Sequence, residues 1–476
     1  MTFFSRKKGP LRIAILSDFV RVPYANGAVF QTRSLYRSLR QCGHEVTIVG
    51  PRDPDADPSD LAPGTIELPS VPLKMYPGVH LPMPLESWVF DTDRWDFDLC
   101  FAQTTSMLLE LGLWLREMKG IPLLCVNTTH LAAAYDVLLP ERLSKMPVVH
   151  ETVELTLKRP FESVFADIYN GSDGLIVLSE GLRTYWRERG VGVPIHVVPR
   201  AVSADVFDRP LGVDPYPFLF EEHGIGASGI RLLCAGRHTR EKSQDRVIRI
   251  FAKHVLPSEP DAVLVLAGHG PDTGFYERVA AELGVQDRVV FAGEIAFGAM
   301  PDFYRYADVF VHASLSETYG NVLGEALYCG MPTVAMADRM GASSQISDGV
   351  NGILIEPRSP SEDGADAAFG AAVIRLARDP LLRKELGLKA VRCARDRNSP
   401  EVVEERLADA FRSAQRHAAR DERRPRVLGS KPMQWYTTFR RFHPWTAIMG
   451  SVYLFGHLRR PNEKRPRASD HPQMTT

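Results

Sequence analysis

The 476-residue chain is too long for one ordinary core, since domains run to about 100–200 residues, so two large domains are the simplest division. Hydrophobic residues at 44% and charged residues at 24% match a water-soluble globular protein and exclude a disordered chain or a membrane bundle. With a formal net charge of -1 there is no overall basic field to draw in nucleic acid, so no nucleic-acid partner is expected.

The first segment is a short basic lead without the apolar stretch and cleavage site of a signal peptide, which predicts a cytoplasmic protein. Six cysteines, Cys42, Cys100, Cys125, Cys234, Cys329 and Cys393, are scattered without a C-x-x-C pair or clustered histidines. That argues against a zinc site and a disulfide framework, and no metal is expected. No uninterrupted apolar run reaches the roughly 18 residues of a membrane span.

Apolar runs at 11–17, 45–49, 99–102, 123–126 and 175–178 alternate with helix-like stretches such as 29–41. This alternation predicts a parallel sheet flanked by helices, with strands buried on both faces. Residues 51–84 are rich in proline and read as an irregular surface excursion. Residues 200–229 carry Pro210, Pro215 and Pro217 and little periodicity, which marks a domain boundary. The pattern restarts at 230–235 and continues through 262–267, 288–291, 309–312 and 333–337. The expected division is therefore a first Rossmann-like domain over 1–205, a second over 206–415, and a tail over 416–476. Both sheets would turn their carboxyl ends to one central cleft, where open α/β folds bind ligands.

The second domain opens with a strand ending in Gly236-Arg237, with Lys242 five residues further on. Two cations so placed can clamp a diphosphate through charge-assisted hydrogen bonds. A later segment runs from Ser314 through Glu317, Gly320, Asn321, Val322, Leu323 and Glu325 to Gly330-Met331-Pro332 and reads as loop, helix and stop. Gly320 lets the backbone turn closely, and the amides of Gly320, Asn321, Val322 and Leu323 at the helix start can receive phosphate. Glu317 and Glu325 suit sugar hydroxyls, which are donors in need of acceptors.

Glu-x7-Glu preceded by Gly-Arg-x4-Lys resembles family 4 of the retaining glycosyltransferases, of the two-domain GT-B fold. Further matching segments are Ala267-Gly268-His269-Gly270-Pro271, Val290-Phe291-Ala292-Gly293, Asp348-Gly349-Val350-Asn351-Gly352, Gly43-His44-Glu45-Val46 and Val198-Pro199-Arg200-Ala201-Val202. The resemblance implies a hexose-type sugar moved from a nucleotide-diphosphate sugar to an acceptor with retention, and with no cofactor. It implies Arg237 and Lys242 on the donor diphosphate, Glu325 on the ribose, Glu317 on the transferred sugar and Gly293 in a turn flanking the base. A nucleotide-sugar epimerase or hydrolase of this fold, and a silent scaffold, are the alternatives.

In the first domain Asn26-Gly27 occupies the place of the family's glycine pair, and Gly27 either approaches the donor or acceptor or forms a plain turn. His130, after the strand at 123–126, is either a donor to sugar or acceptor near neutral pH or a structural histidine. Gln345 stands where many relatives have Glu, and Gln103 replaces a histidine, which bears on donor preference. Residues 421–476 hold eleven Lys or Arg against four Asp or Glu, around an apolar segment at 444–458. As a helix that segment is about 22 Å long, too short to span a bilayer. It either lies on an anionic membrane surface, which points to a lipid or lipid-linked acceptor on the inner face of the membrane, or packs on the first domain.

Overall fold

The computed structural model describes residues 10–18, 20, 32, 35–37, 39–41, 43–54, 61–72, 80–83, 89, 91–104, 106–127, 159–226, 229–315, 317–358 and 361–420. Its first sheet contains β1 (Arg12–Ser17), β2 (Glu45–Pro51), β3 (Ile66–Leu68), β6 (Leu99–Gln103), β7 (Leu123–Asn127), β8 (Gly174–Val177) and β9 (Ile195–Val197). Between β3 and β6, β4 (Ser70–Pro72) and β5 (His80–Pro82) form a separate antiparallel pair. The first sheet is parallel throughout, in the order β3-β2-β1-β6-β7-β8-β9.

Continuous apolar runs produce such strands because both faces are covered. Ala14 and Leu16 of β1 pack toward the helix Leu108–Lys119 on one face. Ile13 and Ile15 join Leu407 and Phe411 of the helix Pro400–Arg420 on the other. The irregular excursion expected over 51–84 is corrected in part: Ile66–Leu68 extends the sheet edge, with Val49 paired to Ile66. Three-residue strands are too short to show a period.

The second sheet holds β10 (Arg231–Ala235), β11 (Val263–Ala267), β12 (Val289–Gly293), β13 (Val309–His312), β14 (Thr333–Met336) and β15 (Ile353–Ile355). It too is parallel, in the order β12-β11-β10-β13-β14-β15. The reversal of strand order beside β10 is the topological switch point at which such sheets bind ligands. At the carboxyl ends, the Gly236 amide donates to the Ala267 carbonyl at 2.9 Å and the Gly268 amide to the Gly293 carbonyl at 2.7 Å.

The chain crosses between domains twice. It leaves the first sheet after the Val198 amide donates to the Val177 carbonyl, and Val202 already lies in the second core. It returns between helices Pro380–Asn398 and Pro400–Arg420. The second domain therefore gives way to first-domain packing before residue 415, the limit expected from sequence. Phe411 meets Phe101 edge to face with ring centroids 5.8 Å apart, and His417 Nδ1 lies 3.1 Å from the buried Asp173 carboxylate. Elsewhere the domains touch closely: a Cβ on Gly181 would come within 2.2 Å of the Arg339 carbonyl oxygen.

Truncating Phe411 to Ala is expected to lower stability by about 3–5 kcal/mol, the usual cost of an emptied aromatic site. Urea unfolding followed by tryptophan fluorescence measures it, and an unchanged midpoint contradicts the docking of the C-terminal helix.

Candidate active site

Three segments converge beyond the carboxyl ends of β10 and β13. The first is the turn after β10, where Arg237 is exposed and the short helix Arg240–Lys242 ends at Ser243. Ser243 takes a left-handed φ of 52°, costly for a residue with a side chain, and this reverses the chain between Lys242 and the helix Gln244–Ile250. Gln244 is buried, and its Nε2 donates to the Arg237 carbonyl at 3.2 Å, bracing the turn from below.

The second segment follows β13 and carries Glu317. Lys242 Nζ donates to Glu317 Oε1 at 2.7 Å and Oε2 at 2.9 Å, and His312 Nε2 lies 3.2 Å from Oε1. The Glu317 side chain is 7% exposed, so burial alone would raise its pKa. The Lys242 ammonium and His312 more than reverse that and hold the carboxyl well below the ordinary carboxylate range. Burial works against the Lys242 charge as well, and Glu317 raises its pKa in return. Both groups are charged at neutral pH. His312 is buried and stacks on Phe310 with ring planes 13° apart, so its ring is fixed in place.

The third segment is the helix Asn321–Tyr328, entered through Gly320 at φ 80°, a left-handed position that favours glycine. Gln345 Nε2 donates to the carbonyls of Tyr319 and Gly320, the latter at 3.1 Å, and so braces this entry. The Leu323 amide donates to the Gly320 carbonyl at 3.1 Å, and its side chain is in the core. That bond is a contact within the first turn. Asn321 and Val322 remain as first-turn amides, which a helix leaves without an internal carbonyl.

Glu325, one turn inside the helix, accepts a hydrogen bond from the buried Tyr304 hydroxyl at 2.9 Å. Burial pushes its carboxyl up to about 7, partly opposed by Tyr304 and Arg200. One carboxylate is thus held firmly ionised and the other sits near its midpoint at neutral pH. Gly293 ends β12, two strands from β10, and its neighbour Phe291 meets the buried His238 ring edge-on.

Among the sequence-predicted site residues, Arg237, Lys242, Gly293, Glu317, Gly320, Asn321, Val322 and Glu325 share this carboxyl edge of the second sheet. Gly27 and His130 lie outside the described residues, as does the chain from 421 onward, including the segment 444–458. His312, Tyr304 and Arg200 enter the site without having been assigned a place in it from sequence, whereas Gln345, singled out for its bearing on donor preference, braces the helix entry. Only the register of β13 could have pointed to His312, its last residue. In the first domain, Asp18, Thr104 and Ser106 cluster beyond β1 and β6, whose last residue is Gln103, and Thr104 Oγ1 donates to Asp18 at 2.7 Å. The Asn127 amide at the end of β7 donates to the Tyr169 hydroxyl at 3.2 Å. Among the described residues, no group of three or more His, Cys, Asp or Glu side chains is placed to hold a metal ion. No helix among them is long and apolar enough to cross a membrane.

Two Rossmann-like α/β domains around a central cleft, with cations and carboxylates at a helix start, define the class of GT-B glycosyltransferases. The chain belongs to the glycosyltransferase family 4 group within it: residues 25–206 match Glycosyltransferase Family 4, and residues 216–391 match Glycosyl transferases group 1. It is an enzyme that transfers a sugar from a nucleotide-diphosphate sugar to an acceptor.

Alpha-monoglucosyldiacylglycerol synthase of Streptococcus pneumoniae is 29% identical over 348 residues, 72% of this chain and 75% of the relative. A GDP-mannose-dependent alpha-mannosyltransferase of Mycolicibacterium smegmatis is 25% identical over 402 residues, 83% of this chain and 96% of that protein. Among solved structures, a sucrose-phosphate synthase from Thermosynechococcus elongatus superposes with a TM-score of 0.66 at 22% identity, over 86% of this chain and 100% of the other, which shows the fold.

Removing Lys242 leaves a buried carboxylate without its main partner, so Lys242→Ala is expected to cost about 3 kcal/mol. The double variant Lys242→Met/Glu317→Gln is expected to lose less than the sum of its single variants, as a double-mutant cycle in urea measures. Because the Glu317 pKa is depressed in the folded state, its stabilisation is present above the ordinary carboxylate pKa and is lost as pH falls through the folded value. Additive effects of the two substitutions contradict the pairing.

Proposed function

We propose that this glycosyltransferase moves a hexose-type sugar, with retention, onto a lipid or lipid-linked glycan. The observation that carries the donor half is the Lys242–Glu317 pair beside the start of the helix Asn321–Tyr328. Arg237 and Lys242 take the donor diphosphate, with the amides of Gly320, Asn321 and Val322 on its oxygens. Glu317 receives hydroxyls of the transferred sugar and Glu325 those of the ribose, while the turn at Gly293 flanks the base. When the bond from the anomeric carbon to the diphosphate oxygen breaks, the electron pair stays on the diphosphate, the acceptor hydroxyl oxygen forms the new bond to that carbon, and its proton passes to the leaving diphosphate. Fixed cations stabilise that developing charge without having to reorganise, and this preorganised field is the main means by which such a site lowers the barrier. By the family resemblance, Gly27 serves the donor or acceptor and His130 is a donor to the sugar or acceptor hydroxyl.

Support for retention comes from the relatives, both of which are named for α-linked products. Support for a lipid acceptor comes from the diacylglycerol in the name of the pneumococcal relative. The basic tail with its apolar segment at 444–458 suits attachment to the anionic inner face of a membrane. Co-sedimentation of the full chain with anionic vesicles, lost at high salt, is expected on this reading.

Offering the protein nucleotide sugars with lipid and sugar acceptors, and identifying products by mass spectrometry, tests this function. An α-linked glycolipid supports it, whereas turnover of donor to free sugar or an epimer without any transfer overturns it. The pH dependence of donor binding is a sharper check on Glu325. Its ionised form is the stronger acceptor for two hydroxyls and carries no competing O–H donor, so nucleotide-sugar affinity is expected to rise by up to about tenfold from pH 6 to pH 8 through the pKa near 7. Glu325→Gln is expected to flatten that profile and weaken binding at pH 8. In the free protein the raised pKa has the opposite effect on stability, which is full below the ordinary carboxylate value and falls as pH rises through about 7. Glu325→Gln is therefore also expected to melt higher than the wild type at pH 8 and not at pH 4.

A further inference from the structure

The two interdomain crossings run side by side and are tied to the site. Asn398 Nδ2, at the end of the helix Pro380–Asn398, donates to the Arg200 carbonyl at 2.9 Å and to the Tyr319 hydroxyl. The Val202 amide donates to the Asn398 carbonyl at 3.1 Å. Arg200 thus sits on the outgoing crossing, held beside the loop that carries Glu317. Its guanidinium reaches the start of the helix Asn321–Tyr328, where Nη1 donates to Asn321 Oδ1 at 3.1 Å. The Arg200 Nε is buried and has no hydrogen-bond partner among the described residues.

A guanidinium carries five donors, and burying one of them without a partner is costly. Burial lowers the Arg200 pKa to about 10, with Tyr319, Glu317 and Glu325 acting in the opposite direction, so the group stays charged at neutral pH. The local charge balance points to a use for it. Of the groups assigned to the donor above, Arg237 and Lys242 are offset in number by Glu317 and ionised Glu325, so a further cation would help to match two phosphates.

We propose that Arg200 is a third cation of the donor site, supplied by the interdomain crossing, whose planar fork takes oxygens of the donor diphosphate beside the helix start. This rests on the donor site lying where the preceding section puts it. A neutral amide oxygen is a weak partner for a guanidinium, and a phosphate at the same helix start satisfies both Nε and the terminal nitrogens in the fork geometry that Arg alone offers. Since Arg200 is fixed to the crossing, its capture of phosphate also ties donor binding to the relative position of the two domains.

The test is calorimetric titration of the full chain and of Arg200→Gln and Arg200→Lys with UDP and GDP, and with the matching nucleoside. For whichever diphosphate the wild type binds, Arg200→Gln is expected to weaken affinity about 10- to 100-fold. Arg200→Lys, which keeps the charge and loses the fork, is expected to weaken it about 3- to 10-fold. Nucleoside affinity is expected to stay unchanged in both. Unaltered diphosphate affinity, or equal loss for diphosphate and nucleoside, overturns the proposal and assigns Arg200 to the hinge alone. If Arg200→Gln loses its cooperative melt, Arg200→Lys decides by the same comparison. Wild-type protein that binds neither diphosphate contradicts the donor site itself, and this inference with it.

Discussion

A carboxylate taken out of water must be compensated, and the site is organised around that requirement at Glu317. Its partners come from different places: Lys242 from the turn after β10 and His312 from the end of β13. Its backbone is held as well, because the Gly341 amide donates to the Glu317 carbonyl at 2.9 Å. Breaking a buried ion pair from one side costs several kcal/mol, so these segments cannot drift independently. The pair holds the loop before the helix Asn321–Tyr328 in one place. The first-turn amides of that helix then have a fixed direction in which to meet an anion.

The same loop is where the two domains are joined. Tyr319 accepts from Asn398, Gln345 donates to the carbonyls of Tyr319 and Gly320, and Arg397 donates to the Gln345 carbonyl at 3.0 Å. Asn398 and Arg397 end the last helix of the second domain, one residue before the chain returns to the first. The helix start and the interdomain hinge therefore share side chains.

The long strands were legible because a parallel strand covered on both faces is a continuous apolar run, as Ile13–Leu16 and Val263–Leu266 illustrate. The loop, helix and stop after β13 could be read from Gly320 and Gly330-Met331-Pro332, and the helix runs between them. Short edges such as β3 and β15 were not, since three residues carry no period. The departure of the helix Pro400–Arg420 for the first sheet was also invisible, because its apolar face fits either domain and only the tertiary contact with Phe101 decides. At the site, Lys242 and Glu317 were legible as charges with a reason to be there, while their pairing over 75 residues was not. Ser243 shows a different limit: its left-handed turn does the work usually left to glycine, and serine gives no such signal.

The central claim is that a nucleotide sugar binds against the second domain with its diphosphate at the start of the helix Asn321–Tyr328. A crystal structure of the protein with an unreactive nucleotide-sugar analogue tests it most directly. Phosphate oxygens are expected within hydrogen-bond distance of Arg237 and Lys242, sugar hydroxyls on Glu317 and ribose hydroxyls on Glu325. A nucleotide bound at the strand ends of the first domain, or with its ribose away from Glu325, would contradict it.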